Sequence, residues 1–216
     1  MLKINETFLS IDGEVNNQHQ GKPSFFIRLA GCNLRCSYCD TSYSWTAKGS
    51  TIKSVIELGG MVLNSKVSKV TITGGEPLLQ NKELIPLLKL LTEKKIYTSI
   101  ETNGSVLPDE LFRSDFVYYI WDYKLPSSGQ IKEMKDEEIF RTVLHKNDWV
   151  KFVIQDHKDF VKAIAAIHWL LPDHTNVAFS PVINKFSCRQ LIGLMDEYNI
   201  LYPVVSVQLH KLVNME

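Results

Sequence analysis

Cysteine is scarce in this chain, four in 216 residues, and three of the four fall within eight positions. Thiols so close together give no framework of crosslinks. In a reducing compartment they point instead to metal binding or redox chemistry. Net charge is missing too: Lys plus Arg and Asp plus Glu both number 24, so no overall field collects polyanions. No basic run is long enough to form a nucleic-acid patch, and a small molecule is the expected substrate. No apolar run approaches the roughly 20 residues that cross a bilayer, and the first fifteen residues carry charges inside their apolar stretch. The chain is therefore expected in the cytoplasm, with no membrane and no nucleic acid among its partners.

Apolar residues make up 44% and charged residues 22%, the usage of a globular protein. No repeat or low-complexity segment divides the chain, and a single domain over 1–216 is expected. Short β-branched or aromatic runs alternate with segments of helical period. Strands are expected at Ser24 to Leu29, Lys69 to Thr73, Tyr97 to Glu101, Phe116 to Trp121, Trp149 to Ile154, Asn176 to Phe179 and Val204 to Gln208. Apolar stripes between Asn81 and Lys94 and from Phe160 to Leu170 suit helices that cover a sheet. The fold class is α/β: a partial, trimmed (β/α)6-type barrel with a curled parallel sheet, binding ligands at the carboxyl ends of its strands.

Polar clusters recur at those ends. Gly31-Cys32-Asn33-Leu34-Arg35-Cys36-Ser37-Tyr38-Cys39 follows the first expected strand directly, so three thiolates leave the sheet on one loop. The fourth cysteine, Cys188, lies far off on an expected helix and reads as a small buried residue. Closed iron-sulfur sites commonly take four cysteines, so three leave one iron free for an outside ligand, as catalytic metal sites do. A structural zinc site completed by Cys188 or a histidine is the alternative. Further on, Gly74-Gly75-Glu76-Pro77, Glu101-Thr102-Asn103-Gly104 and Asp122-Tyr123-Lys124 each close a strand with turn or polar residues.

The C-x3-C-x2-C spacing followed by Gly74-Gly75-Glu76-Pro77 resembles the radical S-adenosylmethionine superfamily. That resemblance implies a 4Fe-4S cluster on Cys32, Cys36 and Cys39, whose open iron chelates the methionine portion of S-adenosylmethionine and whose electron yields a 5'-deoxyadenosyl radical. It also implies cofactor contacts from Tyr38, Asp40, Gly74, Gly75, Glu76, Glu101, Asn103, Asp122, Tyr123, Lys124 and Ser180.

Within the superfamily, Asn5-Glu6, Ile11-Asp12-Gly13-Glu14, Phe25 to Leu29, Cys39-Asp40-Thr41 and Val205 to Lys211 resemble the 7-carboxy-7-deazaguanine synthase family nearly end to end. This implies conversion of 6-carboxy-5,6,7,8-tetrahydropterin to 7-carboxy-7-deazaguanine, by hydrogen abstraction, ring contraction and ammonia loss, in queuosine and other 7-deazapurine biosynthesis. The implied substrate contacts are Ile11, Asp12, Gly13, Glu14, Arg28, Thr73, Gln208, His210 and Glu216, with Mg2+ on Thr41. A flavodoxin or ferredoxin as reductant and a homodimer are implied as well. The chain departs from the family pattern at Asp12, often glutamine, at Asp122-Tyr123, and at Ser180, where glutamine precedes the proline. The alternatives are a glycyl-radical activase acting on a partner protein, which shares the cysteine spacing, and a non-enzymatic iron-sulfur or zinc module.

Overall fold

The computed structural model describes residues 1–16, 19–108, 110–135, 137–170, 176–213 and 215. Among them one nine-stranded sheet runs β3-β1-β2-β4-β5-β6-β7-β8-β9 and does not close. The strands are β1 (Leu2–Ile11), β2 (Pro23–Leu29), β3 (Thr51–Lys53), β4 (Lys69–Gly74), β5 (Tyr97–Thr102), β6 (Val117–Tyr123), β7 (Trp149–Ile154), β8 (Asn176–Pro181) and β9 (Val204–Val205). From β2 to β9 every pairing is parallel, whereas β1 and β3 add antiparallel pairs at one edge. Six parallel strands of ordinary length, β2 and β4 to β8, make the expected partial barrel. The strand expected over Val204 to Gln208 is only two residues long.

Helices α1 (Val55–Ser65), α2 (Asn81–Glu93), α3 (Glu137–Val143), α4 (His157–Leu170) and α5 (Cys188–Glu197) fill most crossovers, and α6 (Leu209–Leu212) follows β9. Ser54 opens α1 with a capping box closed by Glu57, and Ser187 opens α5 in the same way with Gln190. Among the described residues between β5 and β6 there is no helix, and there the barrel is trimmed. None of the described helices is long and apolar enough to cross a membrane.

The strands sort their side chains by period two. Ile27, Leu29, Val70, Ile72, Ile100, Tyr119, Trp121, Val150, Phe152 and Phe179 join one core under the helices. The alternate positions carry Arg28, Thr73, Glu101, Asp122, Lys151 and Ser180, which line a cavity on the other face. A parallel sheet covered by helices on both sides reads as continuous apolar runs. Here the inner face alternates to polar residues because it borders a basin.

Strand β1 escaped the sequence reading for a physical reason. Leu2 and Ile4 are buried in the helical core, yet Phe8 lines the basin and Glu6 reaches the basin residue Arg28. In an unbroken strand these even-numbered residues would share a face, but a register shift between Ile4 and Glu6 reverses it.

Candidate active site

The basin is a cavity of about 380 Å³ over the carboxyl ends of the strands, within the usual size of a small-molecule site. Cys32, Cys36 and Cys39 all line it. Their loop is clamped at its start: Gly31 N–H donates to Ser44 O at 2.8 Å and Cys32 N–H to Trp45 O at 3.1 Å. From the other side, Gly75 N–H donates to Leu29 O at 3.1 Å and Glu76 N–H to Gly31 O at 2.8 Å. Further along, Ser37 is tied to the carbonyls of Ser127 and Ser128.

The two glycines thus serve an approach between backbones. A Cβ on Gly75 would stand 2.1 Å from Gly31 O and 2.8 Å from Cys32 Cβ. One on Gly74, whose φ is +140°, would stand 2.2 Å from Leu29 O. Only glycine lets the two loops touch.

The Cys32 sulfur accepts from Leu34 N–H at 3.4 Å and from Asn103 Nδ2 at 3.8 Å, and Thr41 Oγ1 lies 3.8 Å from the Cys39 sulfur. Burial pushes the Cys36 thiol up to about 11, so metal binding and deprotonation go together. Among the described residues no three His, Cys, Asp or Glu side chains converge on a single-ion point. Mononuclear zinc needs such a point, whereas a 4Fe-4S cube takes each thiolate on its own iron and wants them spread around it. Three thiols on one loop, all lining one cavity, are the donor set that such a cube takes. Cys188 opens α5, half-buried rather than fully enclosed as expected, and does not line the basin. Replacing Cys188 with Ser is accordingly expected to leave the iron and sulfide content of the reconstituted protein unchanged, measured by colorimetric assay.

Of the other residues singled out in the sequence, Gly13, Glu14, Arg28, Tyr38, Asp40, Thr41, Thr73, Gly74, Gly75, Glu101, Asn103, Asp122, Lys124, Ser180 and Gln208 line the same basin. Four do not. Tyr123 alternates with Asp122 and Lys124 and turns into the helical core, its ring 5.8 Å from Phe140 and 5.6 Å from Phe152. Glu76 is wholly buried behind the glycines, where its carboxylate accepts from Leu78 N, Thr102 Oγ1 and Asn103 N at 2.7 to 2.8 Å. Burial pushes it up to about 7. That carboxylate fastens the end of β5 to the turn after β4 and has no face toward a ligand.

Asp12 is the third. Its N–H and C=O pair with Lys22 and Gly21 to close the β1–β2 hairpin, and its carboxylate meets Lys69 Nζ at 3.0 Å with both side chains fully buried. Ile11 is the fourth, paired with Pro23 at the end of β1. The polar segment from Asn16 to Lys22 therefore belongs, in its described part, to a hairpin. Glu216 and the His210 side chain lie outside the described residues.

Electrostatics divides the basin wall. Arg28 Nε donates to Glu6 Oε1 at 2.6 Å, Tyr43 O–H holds the same oxygen at 2.7 Å, and the guanidinium lies over the Phe8 and Tyr43 rings at 5.5 and 5.9 Å. Among the described residues the two Nη atoms of Arg28 meet no acceptor. Two strands along, Glu101 accepts from Thr73 Oγ1 at 2.8 Å, and burial, then the charge of Glu14, pushes it up to about 7. Burial works to raise Asp122, but Lys124 at 2.9 Å and Lys151 at 3.5 Å hold it below the usual range. Asp40 pairs with Lys211 of α6 at 2.5 Å.

Lys151 was missed in the sequence, although a signal existed. A lysine inside Trp149-Val150-Lys151-Phe152-Val153-Ile154 stands mid-strand among large apolar residues and is almost fully buried, which demands a charged partner.

Comparison with known proteins bears on this geometry. The model of the Radical SAM superfamily matches residues 26–168. A 7-carboxy-7-deazaguanine synthase of Clostridium acetobutylicum is 36% identical over 98% of this chain and 95% of its own length, and one from Methanospirillum hungatei is 36% identical over 99% and 86%. Among solved structures, QueE from Escherichia coli superposes with a TM-score of 0.70 at 22% identity, covering 94% of this chain and 92% of that one. SuiB from Streptococcus suis, solved bound to S-adenosylmethionine, gives 0.56 at 19% identity over 78% of this chain and 42% of that one. At those identities the two structures speak for the fold.

Proposed function

Because the chain belongs to the 7-carboxy-7-deazaguanine synthase family of the Radical SAM superfamily, we propose that this basin holds both cofactor and substrate, and that 6-carboxy-5,6,7,8-tetrahydropterin becomes 7-carboxy-7-deazaguanine there. The observation that carries this reading is the common cavity: three thiols of a C-x3-C-x2-C loop, the Gly74-Gly75 turn, and the opposed groups Arg28 and Glu14 all line it. When bound, the cluster and S-adenosylmethionine supply the 5'-deoxyadenosyl radical that removes a substrate hydrogen.

The chain's own residues bind and orient. Arg28, held at Nε by Glu6, presents its two Nη groups as a planar fork for the substrate carboxylate. Glu14, fixed by Gln208 Nε2 at 3.3 Å and Lys151 Nζ at 3.0 Å, receives N–H groups of the pterin edge, with Gly13 and Thr73 beside it. Asn103, Asp122, Lys124 and Ser180 are assigned to S-adenosylmethionine, with Tyr38, Asp40, Gly74, Gly75 and Glu101 around it. Glu76, Asp12 and Tyr123 act from behind the wall. Mg2+ is assigned to Thr41, its shell completed by water and substrate oxygens. A single domain, a homodimer and reduction by a flavodoxin or ferredoxin complete the proposal.

The test is anaerobic reconstitution with iron and sulfide, reduction, and incubation with S-adenosylmethionine with and without the pterin, assaying 5'-deoxyadenosine and deazapurine. Pterin-dependent formation of both is expected. 5'-Deoxyadenosine without deazapurine would reject the substrate, and neither product from a verified cluster would reject the enzyme.

A further inference from the structure

Lys151 projects into the basin from the middle of β7, almost wholly buried, with its Nζ 3.0 Å from Glu14 Oε2 and 3.5 Å from Asp122 Oδ2. Glu14 also accepts from Gln208, and Asp122 also pairs with Lys124 at 2.9 Å. A continuous polar chain therefore runs Gln208–Glu14–Lys151–Asp122–Lys124 across the basin wall. Burial works to lower the lysine's pKa, but the carboxylates of Glu14, Asp122 and Glu101 outweigh it and keep the ammonium charged. Burying an ammonium costs several kcal/mol before its partners compensate. The strand itself does not require one, since Val153 lines the same basin from the next inward position of β7. What the charge accomplishes is specific: one ammonium fixes two carboxylates, Glu14 on the β1–β2 connection and Asp122 on β6.

We propose that Lys151 is a positioning residue that couples the two ligand subsites. The proposal rests on the reading above, in which Glu14 serves the pterin and Asp122 the cofactor. Whichever ligand binds first immobilises its carboxylate and with it the shared ammonium. The second ligand then meets a carboxylate already held, so its ordering cost is smaller and the two affinities rise together. Without the ammonium, Glu14 and Glu101 would lose their compensating charge, Asp122 would keep only Lys124, and the two carboxylates it joined would reorient independently.

The experiment is anaerobic titration calorimetry on the cluster-reconstituted protein. It measures the Kd of 6-carboxytetrahydropterin with and without saturating S-adenosylmethionine, and the reciprocal pair. In the unaltered protein each ligand is expected to tighten the other by one common factor, of about 5-fold or more, since coupling of binding is reciprocal. Lys151→Met, similar in length but uncharged, is expected to bring that factor to one, and Lys151→Arg to restore part of it. A lysine that only supports the fold would change both affinities or the melting temperature and leave the factor intact. That result overturns the proposal, as does a factor of one in the unaltered protein. If Lys151→Met does not fold, Glu14→Gln and Asp122→Asn each cut one arm of the bridge, and a factor surviving in either overturns it equally. Binding of S-adenosylmethionine with no binding of the pterin by the unaltered protein would instead reject the substrate reading on which the inference stands.

Discussion

Gly75→Ala is expected to give a folded protein that fails to retain its cluster, although Gly75 ligates nothing. The added Cβ would lie 2.1 Å from Gly31 O, 2.4 Å from Gly31 C and 2.8 Å from Cys32 Cβ. Two of these are main-chain atoms, so no side-chain rotation relieves the overlap and the cysteine loop has to move. Overpacking of this kind costs roughly 1–3 kcal/mol, which an ordinary domain survives. A ligand set is less tolerant: displacing Cys32 by about an ångström separates its sulfur from the donors of Leu34 and Asn103 and from the span set by Cys36 and Cys39. Iron and sulfide after reconstitution should fall to a small fraction of the unaltered protein's, with 5'-deoxyadenosine falling in parallel while circular dichroism stays native. Gly60→Ala on α1 is the control. A Cβ there meets nothing within 4 Å, and it should load normally and melt slightly higher. Normal cluster content in Gly75→Ala would mean that the loops need no such close approach.

The sheet was legible in the sequence wherever strands alternate cleanly between core and basin. Trp149–Ile154 is bounded as expected, and β2, β4, β5 and β8 run at most two residues beyond expectation at either end. β1 was not legible, because a bulge reverses its faces and charged residues interrupt its apolar ones. The cysteine loop and the glycine pair could be read because their spacing is local. Which neighbours of a motif face the ligand could not, since that depends on contacts across the sheet. Asp122 and Tyr123 are adjacent in sequence yet opposite in direction, and Glu76 is drawn back by donors on β5 and in the loop after it. Asp12 is explained by Lys69, 57 positions away and as deeply buried. A buried acid at this position becomes tolerable once an ammonium lies 3.0 Å from it. Lys151 was hidden for the same reason: its significance lies in two carboxylates from other elements.

Arg28→Ala is expected to weaken pterin binding on the order of 100-fold while leaving the cluster, the fold and the uncoupled cleavage of S-adenosylmethionine in place. A bidentate guanidinium–carboxylate contact in a partly buried site contributes about 3 kcal/mol, and each 1.4 kcal/mol is tenfold in Kd. The fold should tolerate the loss. Glu6, left without its cation, has a side chain 36% exposed that rehydrates, and it keeps the hydrogen bond from Tyr43. The same partner that Glu6 loses explains why the fork is useful: with Nε anchored and the plane stacked over Phe8 and Tyr43, the two Nη groups are aimed before substrate arrives. Lysine cannot reproduce a stacked fork, so Arg28→Lys should recover only part of the affinity. Glu6→Gln should weaken binding less than Arg28→Ala, since it loosens the aim and keeps the charge. Calorimetry with the pterin, run beside a 5'-deoxyadenosine assay without it, separates these effects. If Arg28→Ala binds the pterin as tightly as the unaltered protein, the substrate carboxylate is held elsewhere, and Lys124 and Lys211, the other basin cations apart from Lys151, are where it would have to be sought.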